Sequence, residues 1–150
     1  MCIIIDANLA DSFFGKQSED LMPIWHWIET KDGCIVCGGK LTQELIRNNQ
    51  SISRLIRALN QAGKAYIIND PRIEEFSCDL TQKNLCKSND THVIALASIS
   101  GARLLASNDA DLINDFKNIS LIRPKGKVYR TKAHTKLLSH TNTCPKNRKR

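Results

Sequence analysis

Asp6 stands directly after four apolar residues in CIIIDAN (2–8). A run of this kind reads as a short buried strand with a carboxylate at its end. Asp109 follows a second apolar run, RLLAS (103–107), by two residues. Glu44 lies in TQELI, soon after the apolar run CIVC (34–37). Asp90 opens a segment in which Val93 and Ala97 share its face, so it points inward. Asp111 is a candidate fifth acid. In open α/β sheets chemistry sits beyond the carboxyl ends of the strands, and acids from these distant positions can converge there. Two carboxylates about 5 Å apart repel by roughly 3 kcal/mol at an effective dielectric near 20. A convergent set therefore takes up protons or holds a cation. Hard oxygen donors with few His or Cys nearby select Mg²⁺ or Mn²⁺. Such an ion binds phosphate, lowers the pKa of a bound water and stabilises the leaving oxygen of a phosphodiester. That is the chemistry of a nuclease.

The elements that must position these acids follow from the apolar periodicity. Strands are predicted at CIII (2–5), CIVC (34–37), AYII (65–68), RLLAS (103–107) and ISLIR (119–123), with a weaker one at KVYR (127–130). Helices are predicted after Ala7, at 19–30, 41–48, 51–62, 72–80, from Asn89-Asp90 to Gly101, and over ADLINDF (110–116). Ile52, Leu55, Ile56 and Leu59 hold one helical stripe, and Asp70-Pro71 combines an N-cap with a proline at the first helical position. Strands separated by helices require crossovers, hence a mainly parallel sheet. The expected architecture is a three-layer α/β/α sandwich around four or five strands.

A chain of 150 residues with 41% hydrophobic residues suffices for one domain with its own core. The net charge of +7 is uneven. From Arg123 onward there are ten Lys or Arg and no acid, whereas the preceding part holds twelve basic and fifteen acidic residues. The expected division is a domain over 1–130 and a flexible basic tail over 131–150. Arg123, Lys125, Lys127 and Arg130 are its candidate nucleic-acid contacts, acting by counterion release. The opening apolar run is too short for a signal peptide, and no segment approaches a membrane span. A soluble cytoplasmic protein is expected, with no membrane partner and its six cysteines as free thiols. The Cys34/Cys37 pair lies on a strand, with no second pair to complete a tetrahedral set, which argues against zinc.

The chain resembles the PIN-domain ribonucleases. The resemblance lies in CIIIDAN, in TQELI, and above all in SNDTHVIALASISGARLLASNDADLINDF (88–116): an Asp opening an apolar helix, a Gly, a strand, then Ser-x-Asp. It runs from residue 1 to about 123. It implies a PIN-like fold and makes Asp6, Glu44, Asp90 and Asp109 the acidic metal-binding quartet, with Asn8 and Ser107 orienting the acids or the water. It further implies cleavage of RNA to 5′-phosphate and 3′-hydroxyl ends. Many small stand-alone relatives are toxins neutralised by an antitoxin, and such proteins commonly dimerise, so an antitoxin and a homodimer are the implied partners.

Each residue also has a plainer role. Asp6, Asp90 and Asp109 are suited to cap helices, Glu44 and Asp115 to face solvent, and Ser107 to satisfy a strand-end amide. His92 reads as surface, His26 as an ordinary helix residue, and one of Trp25 and Trp27 is expected to be exposed. A phosphotransferase of the haloacid dehalogenase type also opens with a strand ending in Asp, but it wants a second Asp where this chain has Asn8. The other reading is a PIN-like module that binds RNA or protein without catalysis.

Overall fold

The computed structural model describes residues 2–47 and 49–139. Among them, five strands form one sheet: β1 (Cys2–Ile5), β2 (Cys34–Gly38), β3 (Ala65–Ile68), β4 (Leu104–Ala106) and β5 (Lys127–Tyr129). Their order is β3-β2-β1-β4-β5, and every neighbouring pair is parallel. The helices are α1 (Met22–Thr30), α2 (Gly39–Ile46), α3 (Gln50–Gln61), α4 (Pro71–Gln82), α5 (Thr91–Ser100) and α6 (Ala110–Phe116). The chain steps one way through β1, β2 and β3, then crosses back to β4 and β5. Right-handed crossovers in opposite directions put helices on both faces of the sheet. The central strands are consequently buried on both sides; all four residues of β1 are solvent-inaccessible.

The reversal of direction falls between β1 and β4, which pair side by side. A crevice opens at such a switch point beyond the carboxyl ends of the strands. Asp6 and Ser107 are the first residues after these two strands. The topology therefore brings together two positions 101 residues apart.

Several local expectations need correction. ISLIR is not a strand. Asn118 accepts backbone N–H bonds from Ser120 through its side chain and from Leu121 and Ile122 through its carbonyl, and this turn displaces an extended conformation. The fifth strand is the weaker candidate, Lys127–Tyr129. The first helix after Ala7 is two short pieces, a 3₁₀ turn (Ala7–Leu9) and a π-helical turn (Asp11–Gly15). Trp25 and Trp27 are both buried, because α1 is covered on two sides. Trp25 packs against Phe13 and Phe14 and donates to the Phe13 carbonyl at 2.7 Å. Trp27 lies over Gly33, where an added Cβ would fall 2.4 Å from the indole. Cys34, Cys37, Cys78 and Cys86 are free thiols as expected, but Cys2 is disulfide-bonded.

The basic segment begins inside the folded unit. Lys132–Ser139 forms a 3₁₀ helix against α1 and β5, with Leu138 4% exposed. Tyr129 donates its hydroxyl to the Asp20 carbonyl, and Lys132 pairs with Glu19 at 2.5 Å. The expected boundary at residue 130 thus cuts through packed structure; residues 140–150 of the expected tail lie outside the described residues. Leu138→Ala removes a buried side chain near the rim of the core and will cost about 2 kcal/mol. Its Tm will fall by about 4–8 °C in a thermal melt.

Candidate metal centre

Asp6 is 3% exposed, and its Oδ2 accepts a 2.7 Å hydrogen bond from Ser107 Oγ. Its backbone N–H continues the sheet by donating to Ala106. Ser107 is solvent-inaccessible, and its Oγ also accepts from the Asp109 backbone N–H at 3.0 Å. One hydroxyl therefore ties the acid after β1 to the acid after β4. Asp109 Oδ1 caps α6, accepting from the Asp111 and Leu112 amides at 3.0 and 3.3 Å. Its capping role and its place beside Asp6 coexist.

Asp90 occupies the N-cap position of α5, yet its carboxylate accepts no capping hydrogen bond. Its backbone is held instead: the Asp90 N–H donates to Ser88 Oγ at 3.1 Å. The Lys87 and Ser88 amides donate to Asp115 Oδ1 and Oδ2 at 2.9 and 2.8 Å. Asp115, expected at the surface, is 2% exposed and anchors the turn that presents Asp90. Glu44 arrives on α2, which leaves β2 through Gly38 and Gly39. A Cβ at Gly38 would lie 2.5 Å from the Ile68 carbonyl, and Gly39 has φ +55°, a conformation that suits glycine.

Asp90 responds to its surroundings. Burial is the main cause that raises the Asp90 pKa; the charges of Asp6, Glu44 and Asp109 raise it further, and His92 opposes them. Of the four predicted acids, Glu44 and Asp90 come within ligand distance of each other, and Asp90 also feels the charges of Asp6 and Asp109. His92, expected at the surface, is 4% exposed, and its Nε2 is 2.5 Å from Glu44 Oε1. The contact lacks hydrogen-bond geometry, and Nε2 is a buried atom without a hydrogen-bond partner. Glu44, Asp90 and His92 each offer one ligand atom within 4.8 Å of the others. An oxygen-rich donor set with an orphaned buried nitrogen fits a divalent cation.

The remaining candidates lie farther out. Asp111 is exposed in the first turn of α6. Asn8 is exposed and reaches Asp6 through its backbone N–H, at 3.4 Å. Arg123, Lys125, Lys127 and Arg130 are all exposed. Because β5 runs parallel to β1, Arg130 follows it at the acidic edge, whereas Lys125 and Lys127 precede or open it at the opposite edge. A cavity of about 430 Å³ beside the centre is lined by Lys40, Ser77, Thr81, Asn89 and His92, among others.

The raised Asp90 pKa has a consequence for stability. Below the pKa of the unfolded chain, near 3.9, the group is protonated in both states and carries no penalty. As pH rises, the unfolded chain ionises first, and wild-type stability declines until the folded pKa is passed. With chelator present, Asp90→Asn will therefore melt above the wild type at pH 7, and the difference will vanish at about pH 3.5. Paired melts across this range check it.

The sheet order and the layers of helices make a parallel α/β fold consistent with the PIN-like one. Among solved structures, a chain of VapBC2 from Rickettsia felis, crystallised bound to a DNA fragment from their promoter, superposes with a TM-score of 0.51. The match covers 87% of this chain and 99% of that one, at 18% sequence identity, and speaks for the fold alone. No family model and no curated protein matches.

His92 and Asp115 were missed. α5 is buried nearly all round, so a polar residue in its first turn has no solvent face to occupy. Asp115 lies three residues after Leu112 and one before Phe116, on an apolar stripe. Both signals were present in the spacing.

Proposed function

We propose that this chain is a metal-dependent endoribonuclease of the PIN type. The observation that supports the reading is Glu44 and Asp90 within ligand distance of each other, with the charges of Asp6 and Asp109 acting on Asp90. Asp6, Asp90 and Asp109 would hold one or two Mg²⁺ or Mn²⁺ ions, with Glu44 completing the site directly or through water. A bound ion supplies an activated water and stabilises charge on the leaving oxygen. Ser107 positions Asp6, and Asp115 positions Asp90 through the 87–90 turn. In-line attack of water on phosphorus breaks the P–O3′ bond and leaves a 5′-phosphate and a 3′-hydroxyl. No protein nucleophile takes part.

Arg130 is placed to meet a phosphate flanking the scissile bond, and Arg123, Lys125 and Lys127 to add sequence-independent attraction that weakens with salt. The sequence resemblance to small stand-alone PIN-domain proteins suggests a toxin held by an antitoxin, with a homodimer as the second partner to test. Among the described residues, no helix is long and apolar enough to cross a membrane.

The test is incubation of the purified chain with end-labelled RNA in Mg²⁺, Mn²⁺ or chelator. Cleavage with either ion, giving 5′-phosphate ends, supports the reading. RNA binding without cleavage in either ion would favour a non-catalytic module.

A further inference from the structure

We infer that His92 supplies a nitrogen ligand to this centre, so that it prefers a first-row transition ion such as Mn²⁺ to Mg²⁺. The inference rests on reading the acids as a cation site. It starts from the buried imidazole rather than from the acids. His92 is fixed near the start of α5, a helix packed on nearly every side, and is 4% exposed. Buried side-chain nitrogens in folded proteins are almost always hydrogen-bonded. His92 Nε2 is not, although Glu44 Oε1 is 2.5 Å away. A settled ion pair would place an N–H on the line between the two atoms; here the atoms are close and the line is not made. A shared ion would take up both lone pairs, with Glu44 Oε1 drawn back from 2.5 Å to the roughly 3 Å at which adjacent ligands of one ion stand.

The donor atoms span close to the width of one ion's ligand shell. Donors on opposite sides of a cation with bonds of about 2.1 Å stand about 4.2 Å apart. The ligand atoms of Glu44, Asp90 and His92 lie within 4.8 Å of one another. Glu44 and Asp90 are only half-buried, so their carboxylates can rotate to close the remainder around a fixed imidazole. Neutral imidazole is a borderline ligand that favours transition ions, whereas Mg²⁺ is served best by oxygen. A quartet of carboxylates alone would show little such preference. Asp6, tied to Ser107, and Asp109, tied to α6, are held in fixed positions and act on Asp90 through their charges.

Magnetic resonance of the full chain titrated with Mn²⁺ tests this without an activity assay. The bound Mn²⁺ is expected to show ¹⁴N coupling from one imidazole in pulsed spectra. By competition, Mn²⁺ is expected to bind at least about tenfold tighter than Mg²⁺. His92→Gln is expected to remove the coupling and weaken Mn²⁺ by about 10–100-fold, with Mg²⁺ changed by less than about threefold. The coupling in the wild type needs no variant, so a folding defect in His92→Gln leaves the test intact. Mn²⁺ bound without ¹⁴N coupling overturns the role of His92 and leaves the carboxylate centre standing. A chain that binds no Mn²⁺ overturns both.

Discussion

Replacing Asp90 by Asn will lower metal-dependent RNA cleavage by at least about 100-fold and will not lower the melting temperature in chelator. The two effects have one origin. The Asp90 carboxylate is partly desolvated and faces the charges of Asp6, Glu44 and Asp109, so the empty fold bears a repulsion that a cation relieves. Asn keeps the shape and the backbone bond to Ser88 Oγ, because that bond uses the Asp90 N–H. It removes the charge that holds an ion. The carboxylate caps no helix amide, so α5 loses no capping bond in the exchange. A residue with a purely structural part would show the opposite pattern, losing stability and activity together. Single-turnover cleavage and melts of the same preparation separate the two cases.

Asp115→Ala will show that opposite pattern. Its two carboxylate oxygens accept the Lys87 and Ser88 amides at 2.9 and 2.8 Å, and Asp115 is 2% exposed. Hydrogen bonds to a charged group contribute roughly 1.5–3 kcal/mol each, and removal leaves buried donors without partners. A loss of about 4 kcal/mol is expected, which lowers Tm by about 8–16 °C. Cleavage will fall as well, since Ser88 then no longer fixes Asp90. Asp115→Asn retains one acceptor oxygen and will recover part of both. Denaturant unfolding of the three proteins gives the stabilities, and an Asp115→Ala melt within about 1 °C of wild type would remove this anchor from the account.

Much of the architecture was legible because a few residues constrain it strongly. Asp70-Pro71 caps and starts α4 as its chemistry requires, with the Arg72 amide bonded to Asp70 Oδ1 at 2.9 Å. Gly101 ends α5 with φ +86°, the left-handed position expected at a helix stop. Asp6 and Asp109 were placed by parallel topology alone: an acid after a buried strand in such a sheet stands at its carboxyl edge, whatever its role. The chemistry assigned to those acids is the part that experiment must decide.

What was not legible depended on neighbours distant in sequence. ISLIR has the composition of a strand, but Asn118 turns the chain, and β4 pairs with KVY instead. Trp25 and Trp27 point to different sides of α1, and only the packed Phe13, Phe14 and Gly33 reveal that both sides are covered. Lys132–Ser139 has little regular apolar spacing, yet Leu138 finds the core because Tyr129 and Lys132 fasten the segment to Asp20 and Glu19. His92 stands two positions from Asp90 on a different helix face, which reads as surface, but α5 is covered on nearly every side; Asp115 is likewise buried by its surroundings.

The central claim is that Asp6, Glu44, Asp90 and Asp109 form a cation site. Thermal unfolding of the wild type and of Asp6→Asn/Asp90→Asn, each in chelator and in Mn²⁺ at about one hundred times its dissociation constant, tests it most directly. An ion that binds only the native state adds about 2.7 kcal/mol under those conditions, or roughly 5–10 °C in Tm for a chain of this size. The account predicts that shift in the wild type and none in the double variant, which in chelator melts at or above the wild type. An Mn²⁺ shift absent from the wild type up to millimolar concentration, or equal in both proteins, would contradict it.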